Sequence, residues 1–320
     1  MKTKTKDALY CGARKDVIKD SKPIINERNL SYLYLWIKER YNVHLNKDIY
    51  KKQYPWTKDE IISKYRFTNV RREHDKETKW IIKNICLNDD LNYKNKLLNI
   101  ILFRLFNKSR TIKIFGLIDF NNFNEEGIMK KLEKFKNKKY IYFSNAFYTS
   151  GPKRVSNLKF PKDKNAVIKM IKLVRLYDEN NIVEKIKNCT NQKQVFEILK
   201  SCPGIGNFLA YQMFVDFTYI KEFPFSENEF VVAGPGCKNG LKLIFEDFDK
   251  MNYEESLFWI RDNQFNLFKK FNYNPKEMFS DLPESERYLN LMSLENCMCE
   301  FSKYLRAINS EGRPKILYKN

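Results

Sequence analysis

The chain has 320 residues with 43% hydrophobic and 31% charged side chains, which is ordinary for a folded protein with a sizeable core. Fifty-nine Lys and Arg against 39 Asp and Glu leave a net charge of +20, a surplus that favours a polyanionic partner. No apolar run approaches the ~18 residues that span a bilayer, and the Lys-rich start lacks a signal-peptide core. Seven cysteines without paired spacing and two histidines suggest neither a disulfide framework nor a zinc site. The expectation is a reducing, intracellular, DNA-associated location, without secretion or membrane insertion, and with no metal and no cofactor.

In chain order, residues 1–26 read as a loose basic tail. From Asn29 onward Leu30, Leu33, Tyr34, Ile37 and Tyr41 form one apolar stripe of a helix. A second helix carries Leu97, Leu98, Ile101, Leu102, Leu105 and Phe106, and further helices are expected at 164–177, 191–200, 207–221, 253–271 and 285–308. The best strand candidate is YIYFSNAFY at 140–148. Strand alternation is otherwise scarce, so the fold class is all-α: one helical domain over 27–320, or two lobes joined through the middle of the chain.

Four stretches concentrate chemistry. The first is Tyr54-Pro55-Trp56-Thr57 followed by RFTNVRREHD at 66–75, rich in the Arg and Asn that contact base edges or phosphates and in aromatics that stack on an extruded base. An ordinary charged helix start would account for the same residues. The second is Ser201-Cys202-Pro203-Gly204-Ile205-Gly206, where glycines permit a tight turn between helices and the amides of the next helix, from Asn207, suit a phosphate oxygen. In that next helix Asp216 lies on an apolar face, with Gln212 one turn earlier and in reach of it. It is either a buried brace or a catalytic acid. The third is Glu227-Asn228-Glu229, and the fourth is the glycine-rich Gly234-Pro235-Gly236-Cys237-Lys238-Asn239-Gly240, read as a loop. No GxxxxGK[ST] occurs, which disfavours a P-loop kinase for this chain alone.

PWT, RFTNVRREHD, SCPGIGNFLAYQ, FVVAGPGCKNGL and LENCMCEFSKYLR occur in that order between about Trp36 and Arg306. Together they resemble the alpha-glutamyl/putrescinyl thymine pyrophosphorylase group and the related helical domain of 5-hydroxymethyluracil DNA kinases. The resemblance implies a helix-hairpin-helix, DNA glycosylase-like fold acting on modified thymine in DNA. The reaction would be substitution by an amine or amino acid at the 5-methylene carbon, or glycosidic cleavage. It implies DNA contact through Gly204, Ile205, Gly206 and Asn207. Substrate contacts would come from Trp56, Arg66, Asn69, Arg71, Gln212, Gly234, Gly236, Lys238 and Lys303. Glu229, at the hairpin-to-acid spacing of such glycosylases, joins Asp216 and Asp75 as a candidate acid or base. Gly240, Cys299, Glu300 and Tyr304 match the motifs as well, Cys299 reading as a packed thiol before a nucleophile. The hairpin opens with Cys202 where a larger apolar residue is usual, and Glu stands at the acid positions where Asp is usual. The rival reading is a non-catalytic reader of modified bases or an accessory subunit.

Overall fold

In the computed structural model, residues 23–134, 142–144, 166–247, 252–312, 314 and 316–318 are described. Among them every extended regular element is helical, and strand-like pairing is confined to two isolated antiparallel bridges, Ile25 with Phe245 and Tyr65 with Leu317. The all-α expectation holds. Most of the expected basic tail, and the strand candidate apart from 142–144, lie outside the described residues.

The helices in chain order are α1 (Glu27–His44), α2 (Glu60–Lys64), α3 (Lys76–Ile81), α4 (Tyr93–Phe106), α5 (Ser109–Phe115) and α6 (Glu125–Glu133). Then come α7 (Ala166–Glu179), α8 (Ile182–Lys187), α9 (Gln192–Ser201), α10 (Asn207–Phe217), α11 (Pro235–Ile244), α12 (Tyr253–Lys269), α13 (Pro275–Met278) and α14 (Leu291–Ile308). Asparagine sets many of the starts. Asn26, Asn92, Asn191, Asn252 and Asn290 each accept a backbone N–H from three residues on, at 2.8–3.0 Å. Each such cap is worth about 1 kcal/mol. Asn290 explains why the last long helix begins at 291 and not at 285: the cap needs extended backbone at 290, and only a short 3-10 turn, Glu284–Glu286, precedes it.

The chain divides into two compact units, one made of 1–70 with 233–320 and the other of 71–232. In the first, α14 is the central element and packs against α1, α2, α11 and α12. Its apolar side, including Leu294, Met298 and Phe301, is wholly buried. In the second, α4 is buried on nearly all sides and packs against α7 and α10, while α9 packs against α10. No helix among the described residues is long and apolar enough to cross a membrane.

Candidate functional site

The SCPGIG turn belongs to the second unit. Helix α9 buries Val195, Phe196 and Leu199 and ends at Ser201. The turn that follows is closed by Ile205 N–H donating to the Cys202 carbonyl at 3.1 Å. Gly204 takes φ +81°, a left-handed conformation that side chains resist. Ile205 is 5% exposed and pins the turn to the core, and the Tyr177 hydroxyl donates to the Pro203 carbonyl. Gly206 is the extended cap of α10 and supplies no side-chain acceptor. Asn207 and Phe208 therefore open α10 at the surface, with Phe208 49% exposed. Cys202 fills the half-buried heel of the turn, where burial pushes its thiol up to about 11.

More than two turns further along α10 lies its one carboxylate, Asp216. Asp216 is fully buried, and both of its oxygens are gripped by Arg104 of α4, through Nε to one and Nη2 to the other, the latter at 2.6 Å. The third guanidinium nitrogen donates to Asn107 Oδ1 at 2.8 Å, and Asn107 ends α4 at φ 48°. Burial alone would lower the Arg104 pKa, but Asp216 more than reverses this. This geometry is that of a brace: both carboxylate oxygens are occupied by one buried guanidinium.

Gln212 does not bond to Asp216, contrary to the expectation from their spacing. Its side-chain oxygen instead accepts from Arg72 Nη2 at 2.5 Å, and Arg72 Nη1 donates to Asp75 Oδ2 at 3.1 Å. Arg72, which the sequence reading passed over in favour of its neighbours, thus joins RREHD to the hairpin helix. Asp75 keeps 19% of its side chain exposed. Buried Arg71 bonds Glu73 at 2.6 Å. Beside them the Tyr219 hydroxyl is pushed well up, first by burial and then by the charges of Glu73, Asp216 and Glu227. Glu229 is exposed and accepts from Gln192 at the start of α9. Asp75 and Gln212 are thereby brought together through Arg72, and Glu229 is engaged elsewhere in the same unit.

The remaining motif residues belong to the first unit. Residues 67–70 are strapped to α1 and α14. The Phe67 carbonyl accepts from Arg40, the Thr68 amide donates to Glu300, and Asn296 donates to the Asn69 carbonyl at 2.7 Å. Lys303 bonds the other Glu300 oxygen at 2.5 Å, so Asn69, Glu300 and Lys303 form one tied structure. Tyr304 similarly donates to Asp59, the cap of α2, at 2.5 Å.

The expected glycine loop is mostly helix. Gly234 caps α11 and Pro235 takes its first position, where a missing N–H costs nothing. The Ala233 and Gly234 amides donate to Glu254 and Glu295 at 3.0 and 3.1 Å. A methyl group on Gly236 would overlap Cys299 Sγ, and one on Gly240 would overlap the Met298 carbonyl. The conformational freedom of these two glycines is not what matters; they let α11 lie close against α14. Cys299 is a packed thiol, raised to about 11 chiefly by burial. Lys238 sits over the Tyr253 ring at 4.9 Å. Trp56 donates from Nε1 to the Lys52 carbonyl at 2.9 Å, and Arg66 is exposed.

A family model described as 5-hmdU DNA kinase, helical domain, matches residues 27–313. A curated relative, the 5-hmdU DNA kinase of Bacillus phage SP10, is 28% identical over 290 residues. The match covers 85% of this chain and 44% of that protein, so the chain spans less than half the relative's length. No solved structure matches.

Proposed function

The chain belongs to the family of 5-hmdU DNA kinase helical domains, and from that premise we propose that it handles DNA carrying a modified thymine. In this reading the α9–α10 hairpin grips the duplex backbone through Gly204, Ile205, Gly206 and Asn207, in the manner of helix-hairpin-helix glycosylases. A modified thymine is extruded and met by the Asp75–Arg72–Gln212 line. The observation that carries the proposal is this line: two motifs 140 residues apart in sequence, RREHD and SCPGIGNFLAYQ, meet through one guanidinium.

The chemistry we assign is substitution at the exocyclic 5-methylene carbon of a phosphorylated 5-hydroxymethyluracil. The nitrogen of an amine or amino-acid co-substrate attacks the carbon, and the carbon–oxygen bond to the phosphoryl group breaks. The leaving oxygen keeps the electron pair, and Asp75 takes the proton that nitrogen sheds. Arg72 supplies charge to the leaving group. Glycosidic cleavage would use the same carboxylate to stabilise a cationic sugar. Asp216 is assigned the bracing role, because its oxygens are occupied by Arg104.

Two observations favour a second reading, in which the chain recognises the modified base and presents it to another catalytic segment. It spans less than half of the curated relative, and its sequence contains no P-loop. The test is mass spectrometry of nucleosides from DNA containing phosphorylated hydroxymethyluracil after incubation with the protein and candidate amines. A new thymine adduct or a released base supports the enzyme. Unchanged nucleosides together with tight binding of the modified duplex put the reader in its place. An intracellular, DNA-associated location follows from either reading.

A further inference from the structure

The first unit carries an aromatic and cationic surface patch that the hairpin reading leaves unused. Trp56 meets Tyr54 edge-on at 5.3 Å and Tyr318 at the same distance. Lys47 stands over both the Trp56 and Tyr318 rings, at 4.6 and 5.1 Å. The patch is held in place by backbone. Tyr318 N–H donates to the Lys64 carbonyl and Arg66 N–H to the Ile316 carbonyl, so Tyr318 and Arg66 are fixed on neighbouring extended segments. Asn46 donates to the Trp56 carbonyl at 2.8 Å.

This surface is partly exposed and carries positive charge. Tyr54 is 45% exposed, and Tyr50, earlier in the same segment, is 55% exposed with Lys52 over its ring. The Lys47 ammonium is held below its ordinary range, first by burial; Asp48 opposes the shift, and Arg66 and Arg40 add to it. Lys47 and Arg66 bring positive charge to the rings beside Asp48, and a phosphate would supply a further counter-ion. Rings that present faces or edges between cations suit a chain that alternates flat bases with phosphates. A duplex hides its base faces, so this chemistry selects an unpaired strand.

We propose that the patch around Trp56, Tyr54, Tyr318, Lys47 and Arg66 is a binding surface for single-stranded nucleic acid, stacking unpaired bases on the rings and seating phosphates on the cations. The identity of the strand as DNA rests on the reading above; the stacking chemistry does not. The hairpin serves paired DNA by backbone contacts, and this patch serves a strand whose bases are free.

The test is fluorescence anisotropy of the full chain with two labelled probes, an oligothymidylate of about 15 nucleotides and a blunt duplex of similar length. Tyr54→Ala should weaken the single strand about tenfold, the scale of one lost stacking contact, and Lys47→Gln by a similar factor. Tyr54→Phe keeps the ring and should bind as the parent does. Duplex affinity should stay within about twofold for all three. Equal losses on strand and duplex, full binding by Tyr54→Ala, or no single-strand binding by the parent would each overturn the proposal. Competition by polyglutamate as effective as by oligothymidylate would also overturn it, because the patch would then recognise charge alone. The hairpin reading fails separately, through Gly204 variants that keep full duplex affinity. Circular dichroism melting of each variant guards against misfolding; should Tyr54→Ala unfold, Tyr318→Ala carries the same expectation.

Discussion

At the scale of single residues, Asp216 and Asp75 differ in burial, the first fully buried and the second keeping 19% of its side chain exposed. Asp216→Asn would leave Arg104, itself 1% exposed, as a buried charge without its counter-ion. The expected cost is about 3–5 kcal/mol, read as a lowered urea midpoint at unchanged slope. Asp75→Asn should instead leave the midpoint nearly unchanged and reduce turnover on phosphorylated hydroxymethyluracil DNA by about a hundredfold. Glu229→Gln should keep the rate within about threefold; a hundredfold loss there would move the acid to Glu229. His44 provides a pH signature. Burial opposes its charged form, yet hydrogen bonds to Asp281 and Asp48, each at 3.1 Å, raise its pKa above 6.5. A raised histidine gives stability that is fully present below its unfolded pKa and is lost as pH rises through the folded value. The stability difference between the parent and His44→Gln should therefore shrink from about pH 6 to pH 8, and a difference constant over that range would rule the linkage out. The sequence shows Asp216 as an acid on an apolar face, and so as a residue needing a partner. It does not show Arg104, 112 positions away inside another apolar stripe, because ion pairing at that separation depends on helix packing that no local pattern encodes.

At the scale of elements, the contact between α11 and α14 inverts an ordinary rule. Alanine in place of a helical glycine normally stabilises by about 0.5–1 kcal/mol. At Gly240 the added methyl would run into the Met298 backbone, which cannot swing aside as a side-chain tip can. Gly240→Ala should destabilise by about 1–3 kcal/mol, and Gly236→Ala by less, since Cys299 is a side chain with some freedom to move. Thermal melts of both variants check the order; a stabilised Gly240→Ala would show that the helices are not in close contact. The same helix marks where sequence reading fell short. Long stripes, as in α1, α4 and α12, were legible because many turns repeat the same face. Pro-Gly followed by Gly reads locally as a loop, and its helical state comes from Pro235 at the first position and from close packing on α14. Two-turn helices such as α2, α5 and α8 carry too few repeats to stand out. The turn at Cys202–Gly206 was legible, because its glycines and its buried Ile205 all act within five residues.

At the scale of the whole molecule, the divisions at residues 70 and 232 fall inside motifs and not in linkers. Val70 and Arg71 sit inside one motif, and Val232 and Ala233 sit inside another, FVVAGPGCKNGL, two residues ahead of its Gly-Pro-Gly. The motifs are consequently shared between units: RFTNV and the α11 glycines stiffen the first, while RREHD and the hairpin build the second. Net charge is the property that belongs to no single element, and it governs the last prediction. With +20 on the chain, duplex binding should release counterions, so that the logarithm of affinity falls linearly with the logarithm of salt concentration. Each neutralised phosphate contributes about 0.9 to the slope, and a grip through several phosphates would give a slope of about 4 to 6. Gly204→Val places a β-branched residue at φ +81° and should distort the turn that presents the α10 amides. Affinity should fall by about the same factor on every duplex sequence, with the slope lowered by about 1, the mark of a lost phosphate contact and not of a lost base contact. If the variant loses affinity while the slope stays that of the parent, the hairpin is not where phosphate is held. If the parent's binding is insensitive to salt, the positive charge has no part in DNA binding at all.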